Sequence, residues 1–128
     1  MSNDEVKKTP EEEALGHLLV ASEGVLSGAG HTLLVEAYKT SYVVTRSYSY
    51  YLQLDQYEEA VQKMRLEATR LTDRDREHLT EIVRACEAAA SSIDPDDETP
   101  VGYKVCRRNF RWHYQKMSEM VDDVLQDA

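Results

Sequence analysis

Apolar residues recur along most of this chain at the three- and four-residue spacing that lays a buried stripe along one side of a helix. Leu15, Leu18, Leu19, Ser22, Val25, Leu26 and Ala29 form the first stripe. Its start is marked by Thr9-Pro10-Glu11-Glu12, where Thr9 can cap, Pro10 suits the first helical position and Glu12 completes a capping box. Gly28 and Gly30 are expected to bracket the end of this helix. The loop around them lacks the residue order of a phosphate-binding loop and follows no strand pattern, so it reads as an interhelical turn.

Residues 32–54 send a mixed signal. Val, Thr and Tyr favour strands, and Tyr48, Tyr50, Leu52 and Leu54 alternate. Yet Leu34, Tyr38, Tyr42, Thr45, Ser49 and Leu52 share one helical stripe, neither glycine nor proline interrupts them, and a lone strand would have no partner. A helix is expected. Asp55 to Glu58 either caps a fresh helix or continues the last one with a bend, and Tyr57, Ala60, Val61, Met64, Ala68 and Leu71 supply its stripe. Thr72-Asp73-Arg74-Asp75 repeats the capping signature ahead of Leu79, Ile82, Val83, Cys86, Ala89 and Ile93. After the polar loop at 94–100, Thr99-Pro100 resembles an N-cap and first helical residue, which predicts a final helix from about Val101 to Gln126. Its apolar stripe is Cys106, Phe110, His113, Met117, Val121 and Val124. Four or five helices with short connections bury such stripes only against one another. The fold class is therefore all-α: a four- or five-helix bundle in a single domain over residues 10–128, preceded by a disordered tail at 1–9.

Length and composition agree with this picture. A chain of 128 residues suits one core. Its 41% hydrophobic and 30% charged residues are those of a soluble globular protein. No apolar stretch approaches the roughly 20 residues of a membrane span. Residues 1–9 have no apolar core of a secretory signal, so a cytoplasmic location and no membrane partner are expected. Cys86 and Cys106 fall at apolar positions and read as reduced packing residues. Glu13 with His17, and His78 with Glu81, have helical spacing for metal ligation, but the Glu-x-x-His pairs of di-iron bundles are missing; no metal and no cofactor is expected. The stretch from Leu71 to Leu79 resembles the opening of a helix-turn-helix unit but lacks a following basic recognition helix.

Charge then picks out one segment. From Tyr103 to Lys116 there are five Lys and Arg and no carboxylate, while the whole chain sums to −9 and the remainder therefore to −14. In a helix, Lys104, Arg107, Arg108 and Arg111 form one cationic stripe. Arg108 and Trp112, four apart, can stack. This stripe either meets the bundle's own carboxylates or contacts a partner, and nucleic acid is expected only there, because the acidic remainder repels phosphate. A second surface is suggested by tyrosine: six of the eight lie between Tyr38 and Tyr57. At about 100° per residue, Tyr48, Tyr50 and Tyr51 cannot share one core face, so some are expected at a partner surface.

Arg108-Asn109-Phe110-Arg111-Trp112-His113 resembles the signature of the HEPN superfamily, small all-α proteins that are often metal-independent ribonucleases. The resemblance implies a dimer whose Arg and His residues meet over an RNA backbone. It further implies that Arg108 stabilises charge at the scissile phosphate, Asn109 positions nearby groups and His113 transfers a proton. Such roles suit arginine and histidine chemistry.

The first functional expectation is a small non-catalytic interaction module, a regulator, adaptor or inhibitor, that meets another protein or a second copy of itself as a homodimer. Tyr48, Tyr50, Tyr51, Lys104, Arg107, Arg108 and Arg111 are its expected contact residues. A HEPN-like ribonuclease, or an inactive RNA-binding relative, is the alternative. A third is an acidic inhibitor that presents the carboxylates of residues 55–92 in place of phosphates.

Overall fold

The structure, a computed structural model, describes residues 7–46, 50–102 and 105–127; side chains at 44–54 lie outside the description. Within these limits the chain forms five helices and one short hairpin: α1 (Pro10–Ala21), α2 (Gly28–Arg46), α3 (Tyr50–Ala68), α4 (Asp73–Ser91), β1 (Pro100–Gly102), β2 (Val105–Cys106) and α5 (Arg107–Asp127). This is the all-α, single-domain bundle expected from the apolar stripes.

Two of the helix starts follow directly from their capping residues. Thr9 and Glu12 complete the box at α1, and Thr72 and Asp75 complete the one at α4. Thr9 also meets Ser92 through their hydroxyls at 2.9 Å, which ties the start of α1 to the end of α4. Ser22 on the 3₁₀ turn after α1 reaches His78 near the start of α4, so the two helices run antiparallel. Lys63 faces Glu36, and Arg65 faces Asp127, which sets α3 antiparallel to α2 and parallel to α5. The chain therefore runs up and down five times.

Helix α5 lies at the centre. It packs on α4, α2 and α3, while α1 packs chiefly on α4. The α4 stripe is buried residue for residue as its spacing predicts, from Leu79 to Ile93. Met117, Met120, Val121 and Val124 oppose it from α5, with Leu33, Leu34 and Ala37 from α2 and Ala60, Met64 and Ala68 from α3. Cys86 is free and enclosed here, and burial pushes its thiol up to about 12.

Three expectations are corrected. Gly28 and Gly30 do not end α1; the turn falls before them and both lie in the first turn of α2. Gly30 is needed there because a Cβ would come within 2.9 Å of the Asp75 carboxylate. Next, the buried side of α2 runs through Leu33, Leu34, Ala37, Thr40 and Ser41, leaving Tyr38 and Tyr42 half-exposed. Small residues let α2 approach its neighbours, whereas a tyrosine is better accommodated at the rim with its hydroxyl toward water.

The last correction concerns α5, which begins at Arg107 and not at Val101. Thr99 cannot cap, because its hydroxyl donates to Asp97 at 2.6 Å and its carbonyl accepts from the Arg107 N–H. Pro100–Gly102 pairs instead with Val105–Cys106. The first helical N–H groups, which have no partner within the helix, are then met by the Thr99 and Asp97 carbonyls.

Candidate functional site

The start of α5 carries most of the residues singled out by charge. Arg107 is largely buried and bonds both Glu12 of α1 and Asp97 of the preceding loop, the latter at 3.1 Å. Thr99 hydrogen bonds first, and then Arg107, hold the Asp97 carboxyl below the usual range. Arg108 pairs with Glu98 at 3.0 Å and lies 5.6 Å from the centroid of the Trp112 ring, the stacking expected from their spacing. Arg111 donates to the Ala90 carbonyl at 3.3 Å. Arg107 and Arg108 are thus ion-paired within the chain, whereas Arg111 makes a hydrogen bond to a backbone carbonyl. Lys104 and Tyr48 lie outside the described residues, as do the side chains of Tyr50 and Tyr51.

Asn109 has a local task. Its side-chain oxygen accepts from the backbone N–H of Cys106 at 3.0 Å and from its thiol at 2.9 Å, which closes the first turn of α5 as the returning half of a capping box does. His113 points elsewhere. Five residues turn a helix by about 500°, leaving its side chain about 140° from Arg108. It is only 3% exposed, 5.0 Å from the Tyr38 ring and 5.6 Å from the Tyr42 ring, both edge-on, with Tyr114 stacked at 5.5 Å. Its Nε2 lies 3.3 Å from the Tyr38 carbonyl, so the proton belongs on that nitrogen, while Nδ1 is buried without a partner. Within one chain, Arg108 and His113 do not meet.

Burial lowers the His113 pKa below its ordinary 6.5, and the Tyr38 carbonyl offsets this only in part. Below 6.5 the unfolded chain therefore binds a proton that the folded chain refuses, and stability falls as pH falls. Equilibrium unfolding followed from about pH 8 to pH 5 should show this loss, and His113→Phe, which keeps the ring contacts, should reduce it. Equal pH dependence in both proteins would place the loss elsewhere.

Among the described residues no group of His, Cys, Asp and Glu is arranged to hold a metal, and no helix is long and apolar enough to cross a membrane. The carboxylates between 55 and 92 are interleaved with Lys63, Arg65, Arg74, Arg76 and Arg84 along the same helices and with Arg70 in the turn between them.

An open, mainly apolar cleft lies between α1 and α2. It measures about 400 Å³ and is lined by Gly16, Leu19 and Val20 from α1, Glu23 from the turn, and His31, Leu34, Val35 and Tyr38 from α2. Val20 is 76% exposed and Tyr38 45%. Gly16 sits within α1 with open space where a Cβ would be. Asp75 accepts from the Ser27 N–H at 2.8 Å, the Ser27 hydroxyl and the Thr72 N–H at 3.0 Å, which holds the α1–α2 connection against α4. Of these residues, only the tyrosine enrichment pointed toward the cleft in advance, through Tyr38. A glycine inside a helical run was the signal available but unused, since it costs about 1 kcal/mol relative to alanine. Set against protein-family models, curated proteins and solved structures, the chain matches none of them.

Proposed function

We propose that this protein is a non-catalytic interaction module, a regulator, adaptor or inhibitor, and that it meets another protein through the groove between α1 and α2. The observation that carries this reading is the groove itself: a concave surface with Leu19, Val20, Leu34, Val35 and Tyr38 on its walls, next to a helix backbone bared at Gly16. Concave, mainly apolar surfaces with a few polar groups at the rim are where proteins bind their ligands. A single exposed valine is ordinary, whereas contiguous apolar residues on two facing helices are not. The arginines at the start of α5 serve the chain internally, and His113 has no access to a phosphate from beneath two tyrosine rings. Binding, and not catalysis, is the reading this geometry supports.

A photo-reactive amino acid tests it. Placed at Val20 in cells that make the protein, it should crosslink a discrete protein partner, and the adduct should vanish when Gly16→Trp fills the groove. Placed at Leu66, which is exposed on α3 away from the groove, it should not. The same adducts from both positions, or none from Val20, would overturn the proposal.

A further inference from the structure

We infer that the occupant of the α1–α2 groove is a helix with an apolar ridge flanked by lysine or arginine; this rests on the groove being the binding surface. Charge is the first argument. From Thr9 to Tyr38 the chain holds five glutamates and not one Lys, Arg or Asp, although elsewhere it averages a cation about every six or seven residues. This stretch contains all of α1 and the half of α2 that faces it. Glu12 is neutralised by Arg107, and Glu36 by Lys63. Glu13 and Glu23 have no ion pair among the described residues and both are exposed.

Their placement is the second argument. Glu13, Gly16, Val20 and Glu23 follow one another at three- and four-residue steps, so a single face presents a carboxylate, bare backbone, an apolar side chain and a second carboxylate. The two carboxylates lie about 15 Å apart along the axis, at about 1.5 Å per residue. An apolar ridge laid between them would carry its cations at the two ends.

Gly16 is the third argument. Inside a helix, glycine is less favourable than alanine by about 1 kcal/mol. Among the described residues nothing packed against the helix explains it, because a Cβ there would stand in open space. Glycine on a helix face lets another backbone approach closely, and among the described residues none does so here, which leaves the place to a partner. Helix-in-groove recognition uses anchors at i, i+3, i+4 and i+7 of the incoming helix, and the apolar walls can take such a ridge.

The test uses two dye-labelled helical peptides of about 18 residues with the same leucine ridge, one with lysine and one with glutamate at all other positions. In fluorescence anisotropy at physiological salt, the lysine peptide should bind at least about tenfold more tightly than the glutamate peptide. Gly16→Trp, which changes no charge, should weaken it about tenfold or more, and Val20→Ser should act in the same direction if the tryptophan variant is unstable. Glu13→Gln with Glu23→Gln should lower affinity for the lysine peptide alone. Gly16→Ala should raise the unfolding midpoint while weakening the peptide, opposite signs that a purely structural glycine would not give.

Equal binding of both peptides, lost in Gly16→Trp, would leave the groove standing as a binding surface and overturn the cationic partner. Binding of the lysine peptide that ignores Gly16→Trp and Val20→Ser would be bulk attraction to a chain of net charge −9, and would overturn both readings. Concentration-dependent self-association abolished by Gly16→Trp would assign the groove to a second copy and overturn the inference.

Discussion

Replacing Asp75 by alanine is expected to destabilise the fold by about 4 kcal/mol, measured by denaturant unfolding at neutral pH. The carboxylate is fully buried, and it is the acceptor for the Ser27 N–H, the Ser27 hydroxyl and the Thr72 N–H. Alanine strands all three donors and removes half of the capping box of α4. Asparagine, with one acceptor oxygen in place of two, should cost roughly half as much. Burial alone would raise the Asp75 pKa, but the Ser27 and Thr72 hydrogen bonds outweigh it and hold the group below its ordinary 3.8. The folded chain thus keeps Asp75 ionised where the unfolded chain begins to protonate it. Its contribution is complete above 3.8 and is lost as pH falls through the depressed value, a limb distinct from the His113 one at milder acidity. A loss below about 1 kcal/mol in Asp75→Ala would show that the α1–α2 connection does not depend on this clamp.

Arg107→Ala is expected to cost about 3 kcal/mol, because among the described residues it leaves the buried Glu12 carboxylate with the Thr9 N–H as its one remaining hydrogen bond. Arg108→Ala provides the contrast. Its pair with Glu98 is exposed to solvent, and its removal should cost less than about 1 kcal/mol. The decisive comparison is the double variant Arg107→Met with Glu12→Leu. If the pair matters through the penalty for isolating one charge, replacing both by apolar groups should recover most of the loss, and a double-mutant cycle reads that recovery directly. Additive losses would mean the two side chains act independently.

The parts of the fold that were legible in advance are those decided within a few residues. The α4 stripe is clean, since every one of Leu79, Ile82, Val83, Cys86, Ala89 and Ile93 is buried and Thr72 caps where its spacing says it should. The Arg108–Trp112 stack belongs to the same class. Thr99-Pro100 misled because two local rules competed: the pair satisfies a capping pattern, yet Asp97 two residues earlier captures the Thr99 hydroxyl and turns the chain into a hairpin. In α2 the large residues drew the expected stripe through Tyr38 and Tyr42, although small ones, Ala37 and Ser41, mark where helices come closest.

What escaped sequence reading altogether depends on distant partners. That the arginine stripe could meet the bundle's own carboxylates was open from the sequence, but that Arg107 would meet Glu12, 95 positions away, was not. The groove is a property of two helices that do not close on each other, and no periodicity within α1 or α2 reports it. Besides Tyr38 at the start of the tyrosine run, Gly16 and the missing cations between Thr9 and Tyr38 leave a trace in the linear order.

The way α1 is attached has a mechanical consequence. It is fastened at one end by the Thr9–Ser92 and Glu12–Arg107 latch and at the other by the turn that Asp75 grips, with Leu15 as its fully buried anchor between. Helices α2 to α5 share the rest of the core. Loosening either fastening would therefore free α1 before it disturbed the four helices that share the core.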